Sequence, residues 1–276
     1  MPDQKVVMVT GSSSGIGREI SLLLARNNYV VYASMRNLEK GSELKSIAEN
    51  ENLDLYILHL DVNDDESVKK ALDSIYSKSS RLDVLINNAG YGLRGAFEDL
   101  DMSEIKSLYD TNVFGYIRTI QSALPIMRKQ QSGLIINISS GVGRFGIPNA
   151  SAYSSSKFAV EGLSESLFYE LEPFGIKIVL VEPGVIKTNF FNSLVVANRS
   201  ADPASPYAQM MREKDGGLNE MIKNGSDPEY VAKIVLDIIL NDNPNLRYLA
   251  GKDVEQLMEL KKRISDNDFH NMMKNM

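Results

Sequence analysis

The chain has 276 residues, of which 43% are hydrophobic and 24% charged, as in a globular protein with a sizeable core. Its formal net charge of −6 disfavours a nucleic-acid partner, and no apolar stretch approaches the ~20 residues that a membrane span needs. The chain has no cysteine and only two histidines, His59 and His270, which excludes disulfides and thiolate metal sites and suggests no metal site of another kind.

Short apolar runs alternate with helix-period segments along most of the chain. Strands rich in Val, Ile and Leu are typical of a parallel sheet covered by helices on both faces. We therefore predict an α/β fold with a doubly wound parallel sheet of the Rossmann type, in one domain spanning residues 1–276. The predicted strands are Val6–Val9, Tyr29–Ala33, Leu53–Leu60, Val84–Asn87, Leu134–Ile138, Lys177–Val181 and Arg247–Leu249. The predicted helices are Ile16–Asn27, Leu38–Asn50, Asp65–Ser77, Ser103–Gln130 and Ser151–Glu172.

Two regions depart from this alternation. Residues 190–226 contain Phe190, Phe191, Met210 and Met211 around an Ala-Asp-Pro-Ala-Ser-Pro run. Such an insertion is either a helical lid over a substrate pocket, which is our working prediction, or a surface excursion. Residues 252–276 predict a polar helix followed by a Met-rich tail that frays at the terminus.

A glycine-rich turn connects the first predicted strand to the first helix. Its glycines allow backbone N–H groups to approach a pyrophosphate at a helix N-terminus, where the helix dipole favours negative charge. The Gly-x-x-x-Gly-x-Gly spacing differs from the commoner Gly-x-Gly-x-x-Gly, and such a turn can be purely structural. Its position between strand and helix favours dinucleotide binding. The expected contacts in this turn are Gly11, Ser12, Ser14, Gly15, Ile16 and Gly17.

The end of the second predicted strand distinguishes between two cofactors. An NAD enzyme usually has an acidic residue there, which binds the ribose hydroxyls. This chain has no acid in residues 32–37 but has Arg36, whose guanidinium suits a 2′-phosphate, with hydroxyls of Ser12 or Ser34 in support. The alternative is that Arg36 is a solvated loop charge. The pattern favours NADP(H) over NAD(H).

Tyr153 and Lys157 lie four residues apart at the start of a predicted helix, so their side chains share one face, with Cβ atoms ~5–6 Å apart. An ammonium beside a phenol favours the phenolate and so lowers a pKa that is ordinarily about 10. Ser139, at the end of the fifth predicted strand, supplies a hydroxyl for a substrate oxygen. Each feature alone also arises by chance, because Tyr-x-x-x-Lys is short and serines are common at strand ends.

Together these motifs resemble the short-chain dehydrogenase/reductase family, in its compact single-domain branch, over residues 5–190. The resemblance implies the catalytic residues Asn112, Ser139, Tyr153 and Lys157. It also implies that Tyr153 and Lys157 contact the cofactor, together with Asp61, Val62, Asn88, Ala89, Gly90, Pro183, Gly184, Val185, Ile186 and Thr188. Structural alternatives remain open for three residues: Asp61 and Thr188 as helix caps, and Asn112 as a polar residue at a helix irregularity.

The resemblance also implies a reaction. NADPH would deliver hydride to a carbonyl carbon while Tyr153 donates a proton to its oxygen, and in oxidation Tyr153 as phenolate would take the alcohol proton. Lys157 would lower the pKa of the phenol and hold the nicotinamide ribose, Ser139 would orient the substrate oxygen, and Asn112 would anchor a water chain. A finer likeness, in residues 32–37 and 89–93, is to members that act on steroids and retinoids and prefer NADP(H).

Two alternatives concern function. One is an NADP(H)-sensing regulator without turnover, although relatives of that kind commonly lack the tyrosine or the lysine. The other is an epimerase or dehydratase of the longer family branch, which has a larger C-terminal domain and a different glycine spacing. Arg94 and Arg144 lie where they would meet an anionic substrate or remain solvated.

We expect a cytoplasmic protein, because the N-terminal sequence lacks a signal-peptide layout. The expected partner is a small carbonyl or alcohol, with no nucleic acid and no membrane span. By resemblance we expect a homodimer or homotetramer, formed through the helix of Tyr153 and Lys157. Phe158, Leu163 and Leu167 suit that face, and burial against the chain's own core explains them equally well.

Overall fold

The computed structural model describes the backbone of residues 4–190 and 194–275, and the side chains of these residues except 201, 213–219 and 275. Within these ranges the strands are β1 (Val6–Thr10), β2 (Val30–Met35), β3 (Leu55–His59), β4 (Val84–Asn87), β5 (Leu93–Arg94), β6 (Gly133–Ile138), β7 (Ile176–Pro183), β8 (Val195–Val196) and β9 (Arg247–Ala250). The α-helices are α1 (Gly15–Arg26), α2 (Ser42–Asn50), α3 (Asp65–Ser79), α4 (Met102–Tyr109), α5 (Gly115–Gln130), α6 (Ser151–Leu171), α7 (Ala208–Asn224), α8 (Pro228–Leu240), α9 (Lys252–Arg263) and α10 (Asp266–Asn275).

In the described chain, seven strands form one sheet in the order β3-β2-β1-β4-β6-β7-β9, with every neighbouring pair parallel. The chain adds strands on one side of β1 as far as β3 and then continues from β4 on the other side. The carboxyl ends of β1 and β4 therefore border the switch point, where doubly wound sheets bind ligands. The predicted doubly wound sheet is confirmed, and each predicted strand is present.

Both faces of the sheet are covered by helices. Val7 of β1 belongs to a buried cluster with Leu24 of α1 and Val235 of α8. The next residue, Met8, belongs to a cluster on the opposite face with Leu72 of α3. Because successive side chains of a strand point to opposite faces, the continuous apolar runs fill two cores at once.

Local signals fix several helix ends. α3 begins after Asp64, whose carboxylate accepts a hydrogen bond from the backbone N–H of Glu66 at 2.9 Å. α4 begins with a capping box between Asp101 and Glu104. α8, which has no counterpart among the predicted helices, begins with Pro228 in the first turn, where the missing N–H leaves no hydrogen bond unmade.

The predicted helix Ser103–Gln130 is interrupted. A π-helical turn over Asp110–Phe114 joins α4 to α5. Turns of this kind are rare and occur frequently at functional sites. This one contains Asn112, so the proposed irregularity in the helix exists, and Asn112 lies in it.

A row of polar side chains crosses the middle of the sheet. The Thr119 hydroxyl donates to Asn87 Oδ1 at 2.7 Å, and Asn87 Nδ2 donates to Asn137 Oδ1 at 2.9 Å. Asn137 Nδ2 then donates to the Ser164 hydroxyl at 2.9 Å. All four side chains are completely buried. Because an unpaired buried amide is costly, this row ties α5 and α6 to the centre of the sheet in one register.

The insertion at 190–226 lies over the segment that follows β4. β8 pairs in parallel with β5, and the buried carboxylate of Asp99 accepts hydrogen bonds from Ser200 at 3.3 Å and Ser205 at 2.7 Å. α7 supplies the helical part of the predicted insertion, and Ser226 closes it by bridging to the segment after β7. Phe191, predicted in the same insertion, lies outside the described residues.

The predicted frayed tail is wrong. α9 and α10 pack onto the loop that follows β6, where Phe269 is completely buried with its ring centroid 5.6 Å from that of Phe145. Met258 and Met273 are buried in the same cluster. Each such side chain contributes ~1.5–3 kcal/mol on burial, which is enough to hold a short polar helix against fraying. In the described ranges no helix is both long and apolar enough to cross a membrane.

Candidate active site

The glycine-rich turn and the segment after β4 meet at the switch point. Gly11 has φ 69°, and a Cβ there would lie 2.8 Å from the Cα of Ala89. Asn88 Nδ2 donates to the carbonyls of Thr10 and Gly11, at 3.0 and 3.1 Å. The Thr10 hydroxyl accepts hydrogen bonds from the backbone N–H groups of Asn88 and Ala89. The structure therefore brings together two of the predicted cofactor segments, the glycine-rich turn and the segment after β4. Gly90 is the next residue of the second segment.

The start of α1 fits an anionic group. Ser14, the N-cap residue, is exposed and makes no side-chain capping hydrogen bond. The first turn, which contains Gly15, Ile16 and Gly17, carries no acidic side chain. Backbone N–H groups at an uncapped helix start are donors for an anion, and the helix dipole strengthens them. These residues fit the pyrophosphate of a dinucleotide.

The hydroxyls expected to support a 2′-phosphate point into the protein. Those of Ser12 and Ser34 both donate to the carbonyl of Val9, at 2.9 and 3.0 Å, and both residues are completely buried. The prediction is therefore wrong for these two side chains, since a hydroxyl buried below the turn cannot reach a ligand. Arg36 is exposed directly after β2 and forms no hydrogen bond or ion pair with the described residues.

Asp61 and Val62 follow the end of β3. The carboxylate of Asp61 accepts a hydrogen bond from the backbone of Asn63 at 3.0 Å. Asp64 caps α3, so the alternative that Asp61 is the helix cap is wrong. Val62 is buried against α5, where a Cβ at Gly115 would lie 2.9 Å from its Cγ2.

The segment after β7 approaches the glycine-rich turn from the other side. A Cβ at Gly15 would lie 3.2 Å from the Thr188 side chain. The backbone N–H of Val185 donates to Asp253 at 2.7 Å, which fixes the start of the segment to α9. Of the predicted cofactor contacts in this segment, which are Pro183, Gly184, Val185, Ile186 and Thr188, Thr188 therefore lies beside the glycine-rich turn.

Lys157 is buried, with its ammonium donating to the carbonyl of Ile138 at 2.9 Å. The same carbonyl accepts the Tyr116 hydroxyl at 3.0 Å. The Lys157 ammonium lies 5.9 Å from the ring centroid of Tyr153. Burial lowers the pKa of Lys157 to about 8, and the negative charge of Glu161 acts in the opposite direction.

Burial raises the pKa of Tyr153 to about 12, and a hydrogen bond with Ser140 lowers it in opposition. The sequence predicted that Lys157 lowers the pKa of Tyr153. In the structure the pKa of Tyr153 is raised, so the predicted direction is wrong. The desolvation of a phenolate outweighs its stabilisation here. Tyr153 is therefore a neutral phenol at pH 7, which is the form that donates a proton.

The serine that contacts Tyr153 is Ser140 and not Ser139. Ser139 is buried, its hydroxyl has no hydrogen-bond partner in the described chain, and a Cβ at Gly143 would lie 2.9 Å from its Oγ. Ser140 is half-buried and hydrogen-bonds to Tyr153. The prediction of Ser139 as the catalytic serine is wrong, because adjacent residues in extended backbone point to opposite sides. The sequence showed both serines but not which one faces the tyrosine.

Asn112 holds the segment after β4 against α6. Its Oδ1 accepts a hydrogen bond from the backbone N–H of Tyr91 at 3.0 Å, and its Nδ2 donates to the Tyr91 carbonyl at 2.9 Å. Nδ2 also donates to the hydroxyl of Ser156, the residue before Lys157, at 3.3 Å. The π-helical turn thus points a completely buried amide at the helix that carries Tyr153 and Lys157.

A buried ionic cluster lies behind these residues. Glu182 on β7 is 1% exposed and accepts from Arg144 at 3.0 Å. Arg247 on β9 places its Nε 3.0 Å from Glu161 on α6 and 3.4 Å from Glu182. Because Arg144 is paired with a buried carboxylate, the alternative that it is a solvated loop arginine is wrong. The sequence motifs did not predict Glu161 as a site residue, although it follows Lys157 by four residues.

An open cleft of about 410 Å³ borders the insertion. Its walls include Ala96, Ile147 and Asn149, together with Tyr207 and Met210 of the insertion. The Phe190 ring also reaches the site, with its centroid 5.9 Å from that of Tyr153. The described residues contain no cluster of three or more His, Cys, Asp or Glu side chains that would hold a metal ion.

Comparison with known proteins gives the same fold and a family. The sequence model of the short chain dehydrogenase family matches residues 5–198. Retinol dehydrogenase 8 of Bos taurus is 37% identical over 266 residues, which are 93% of this chain and 85% of the relative. A 3-ketodihydrosphingosine reductase of Bacteroides thetaiotaomicron is 36% identical over 253 residues, 92% of this chain and 90% of the relative. The solved structure of ElxO with NADP bound matches with a TM-score of 0.74 and 29% identity, covering 90% of this chain and 96% of that one.

The doubly wound sheet and its switch-point site define a Rossmann-type oxidoreductase. The chain belongs to the short-chain dehydrogenase family.

Proposed function

We propose that the protein is an NADP(H)-dependent oxidoreductase that interconverts a carbonyl and a primary or secondary alcohol, with Tyr153 as general acid and base. The observation that carries this proposal is the contact of Tyr153 with Ser140, one helical turn from the buried ammonium of Lys157. This constellation lies at the same edge of the sheet as the uncapped start of α1.

NADPH, when bound, supplies the hydride. Tyr153 is protonated at neutral pH and donates its proton to the carbonyl oxygen, which becomes the alcohol oxygen. The Ser140 hydroxyl hydrogen-bonds to the same oxygen and orients it. The Lys157 ammonium stabilises the phenolate that remains on Tyr153, and Asn112 keeps the segment after β4 in register with α6.

Two observations support NADP(H) over NAD(H). Residues 32–37, at the end of β2 where an NAD enzyme binds the ribose hydroxyls, contain no acid, and Arg36 is exposed there with its guanidinium unpaired among the described residues. A guanidinium forms paired, charge-assisted hydrogen bonds with a phosphate. The NADP named in the ElxO structure agrees with this preference.

The apolar side chains of the insertion near Tyr153 favour an extended apolar substrate. Phe190 and Leu194 of the insertion meet at Gly92, where a Cβ would contact Leu194 and would lie 3.1 Å from Phe190. Met210 adds an adaptable apolar wall. Relatives named for retinol and 3-ketodihydrosphingosine point to the same substrate class. In this proposal the insertion is the lid of the substrate pocket.

We also propose that the protein is a cytoplasmic homo-oligomer. α6 exposes Phe158, Phe168 and Tyr169, with 47%, 39% and 66% of their surface accessible. Large apolar side chains on one helix form a surface that a second copy would cover. Leu167 packs against the chain's own core and does not contribute to that surface.

The test is turnover of purified protein with NADPH or NADH and a panel of ketones, aldehydes, retinoids and steroids, followed by nicotinamide absorbance. Tyr153→Phe removes the proton donor and keeps the ring, so we expect NADPH binding without turnover. Retained turnover in Tyr153→Phe contradicts the assigned role. Tight NADPH binding with no turnover of any compound favours the sensing function instead.

A further inference from the structure

The buried ammonium of Lys157 has no carboxylate within ion-pair distance among the described residues. Its hydrogen bond goes to the carbonyl of Ile138, and its other near neighbours are the rings of Tyr116 and Tyr153. An isolated buried ammonium is costly and tends to lose its proton. A counter-charge nearby is therefore needed if Lys157 is to remain protonated at neutral pH.

Glu161 is placed to supply that charge. It follows Lys157 by four residues on α6, a spacing that puts both side chains on one face with Cβ atoms ~5–6 Å apart. Both side chains are about 95% buried, so solvent screens their interaction weakly. They also share a neighbour, since a Cβ at Gly143 would lie 3.0 Å from Glu161 Cγ and 3.3 Å from the Lys157 carbonyl.

Arg247 holds the Glu161 side chain in this position. Its Nε lies 3.0 Å from Glu161 Oε2, and its Nη2 lies 2.7 Å from Oε2 of the half-exposed Glu165. Glu182 also approaches Arg247 Nε, at 3.4 Å. It forms a second ion pair with Arg144, which lies in the loop after β6. Burial raises the pKa of Glu182, and repulsion from Glu161 adds to the effect. Glu182 has Arg144 as a second partner, whereas Glu161 contacts Arg247 alone among the described arginines.

We propose that Glu161 is a positioning residue for the proposed reaction, and that its carboxylate, held by Arg247, is the counter-charge that keeps Lys157 protonated. This inference rests on the proposed function, because it assigns a role toward Lys157. The titratable and charged groups that face Lys157 and Glu161 are Tyr153 and Glu165 from α6, Tyr116 from α5, Glu182 from β7, Arg247 from β9 and Arg144 from the loop after β6.

The chain offers a matched pair of variants. Glu161→Gln removes the buried charge and keeps an oxygen that accepts from Arg247. Glu165→Gln removes a carboxylate from the same arginine, but its position is two turns from Lys157. If the variants act only by weakening the Arg247 contacts, both change the pKa of Lys157 to the same extent. If Glu161 acts on Lys157 through its charge, only Glu161→Gln changes that pKa.

The direct measurement is the pKa of Lys157 by NMR titration of the ε-carbon in protein with carbon-13-labelled lysine. The resonance is assigned by its absence from Lys157→Met. We expect Glu161→Gln to lower this pKa by about one unit, Glu165→Gln to leave it unchanged, and Glu161→Asp to restore most of the difference. An unchanged pKa in Glu161→Gln, or an equal fall in Glu165→Gln, overturns the proposal.

A second readout is the pH profile of kcat with NADPH and a reducible carbonyl compound. Activity that needs protonated Lys157 falls as the pH rises through its pKa, so the fall moves to lower pH in Glu161→Gln and stays in place in Glu165→Gln. An unmoved profile in Glu161→Gln overturns the positioning role. If the wild-type protein turns over no substrate, the proposed function fails, while the NMR titration still decides whether Glu161 holds the charge of Lys157.

Discussion

Ser140 hydrogen-bonds to Tyr153, while the adjacent Ser139 turns its hydroxyl into the protein and leaves it without a partner in the described chain. The end of β6 thus presents one serine to the site and hides the other. Two residues that are equivalent in the sequence have opposite environments because extended backbone alternates its side chains.

This pair gives a sharp test of the site. We expect Ser140→Ala to lower kcat/KM about 10²-fold, because it removes a hydrogen bond to the reacting oxygen. Ser139→Ala removes an unpaired buried hydroxyl, so we expect activity within about twofold of wild type and unchanged or slightly higher stability. Steady-state kinetics with NADPH and one carbonyl substrate compare the two variants. A larger loss in Ser139→Ala than in Ser140→Ala contradicts the assignment.

We expect the buried ammonium of Lys157 to lower the free energy of unfolding. Its pKa in the folded protein, about 8, lies below the ordinary value of 10.5. The unfolded chain therefore binds more protons between these values, and the stability of the wild type rises across this window as the pH increases. Below pH 8 the full cost remains, so Lys157→Met should be more stable at pH 7 by about 1–3 kcal/mol.

Urea unfolding of Lys157→Met and wild type at a series of pH values measures this difference. Met keeps the length of the side chain, and the carbonyl of Ile138 retains its hydrogen bond from Tyr116. The advantage of Lys157→Met should shrink from pH 8 to about pH 10.5. A destabilised variant at pH 7 would show that the ammonium contributes more through its hydrogen bond than it costs through burial.

Arg36 should determine cofactor choice. We expect Arg36→Leu to raise the KM for NADPH about tenfold or more, because a charge-assisted hydrogen bond contributes about 1.5–3 kcal/mol. The KM for NADH should change less than about twofold, since that cofactor has no 2′-phosphate. Lys40→Leu, a nearby exposed cation, is the control for general loss of positive charge. If Arg36→Leu raises the KM for NADPH and the KM for NADH equally, Arg36 does not bind the 2′-phosphate.

The polar row through the sheet should behave as a unit. Asn137→Leu leaves the amide of Asn87 unpaired, so we expect it to lower the free energy of unfolding by about 1–3 kcal/mol. Thr119 and Ser164 keep hydrogen bonds to backbone carbonyls of their own helices. Combining Asn137→Leu with Asn87→Leu should therefore cost less than the sum of the single variants. Strict additivity in urea unfolding would mean that the two amides are not coupled.

Much of the site followed from local patterns. The glycine-rich turn and the segment after β4 lie where the strand order places them, because the carboxyl ends of neighbouring parallel strands share one edge. Tyr153 and Lys157 share a face because four residues make about one helical turn. Arg36 follows β2 directly and is exposed, and its role toward a 2′-phosphate stays a prediction.

The sequence by itself determined the alternation of strands and helices and the segments at the switch point, since apolar periodicity and turn residues act over a few positions. The tertiary structure alone decided which serine faces Tyr153 and how strongly burial perturbs Tyr153 and Lys157. It also decided that Ser12 and Ser34 point inward and that Phe269 anchors the C-terminal helices. Burial and desolvation depend on residues far apart in the chain, so no local pattern encodes them.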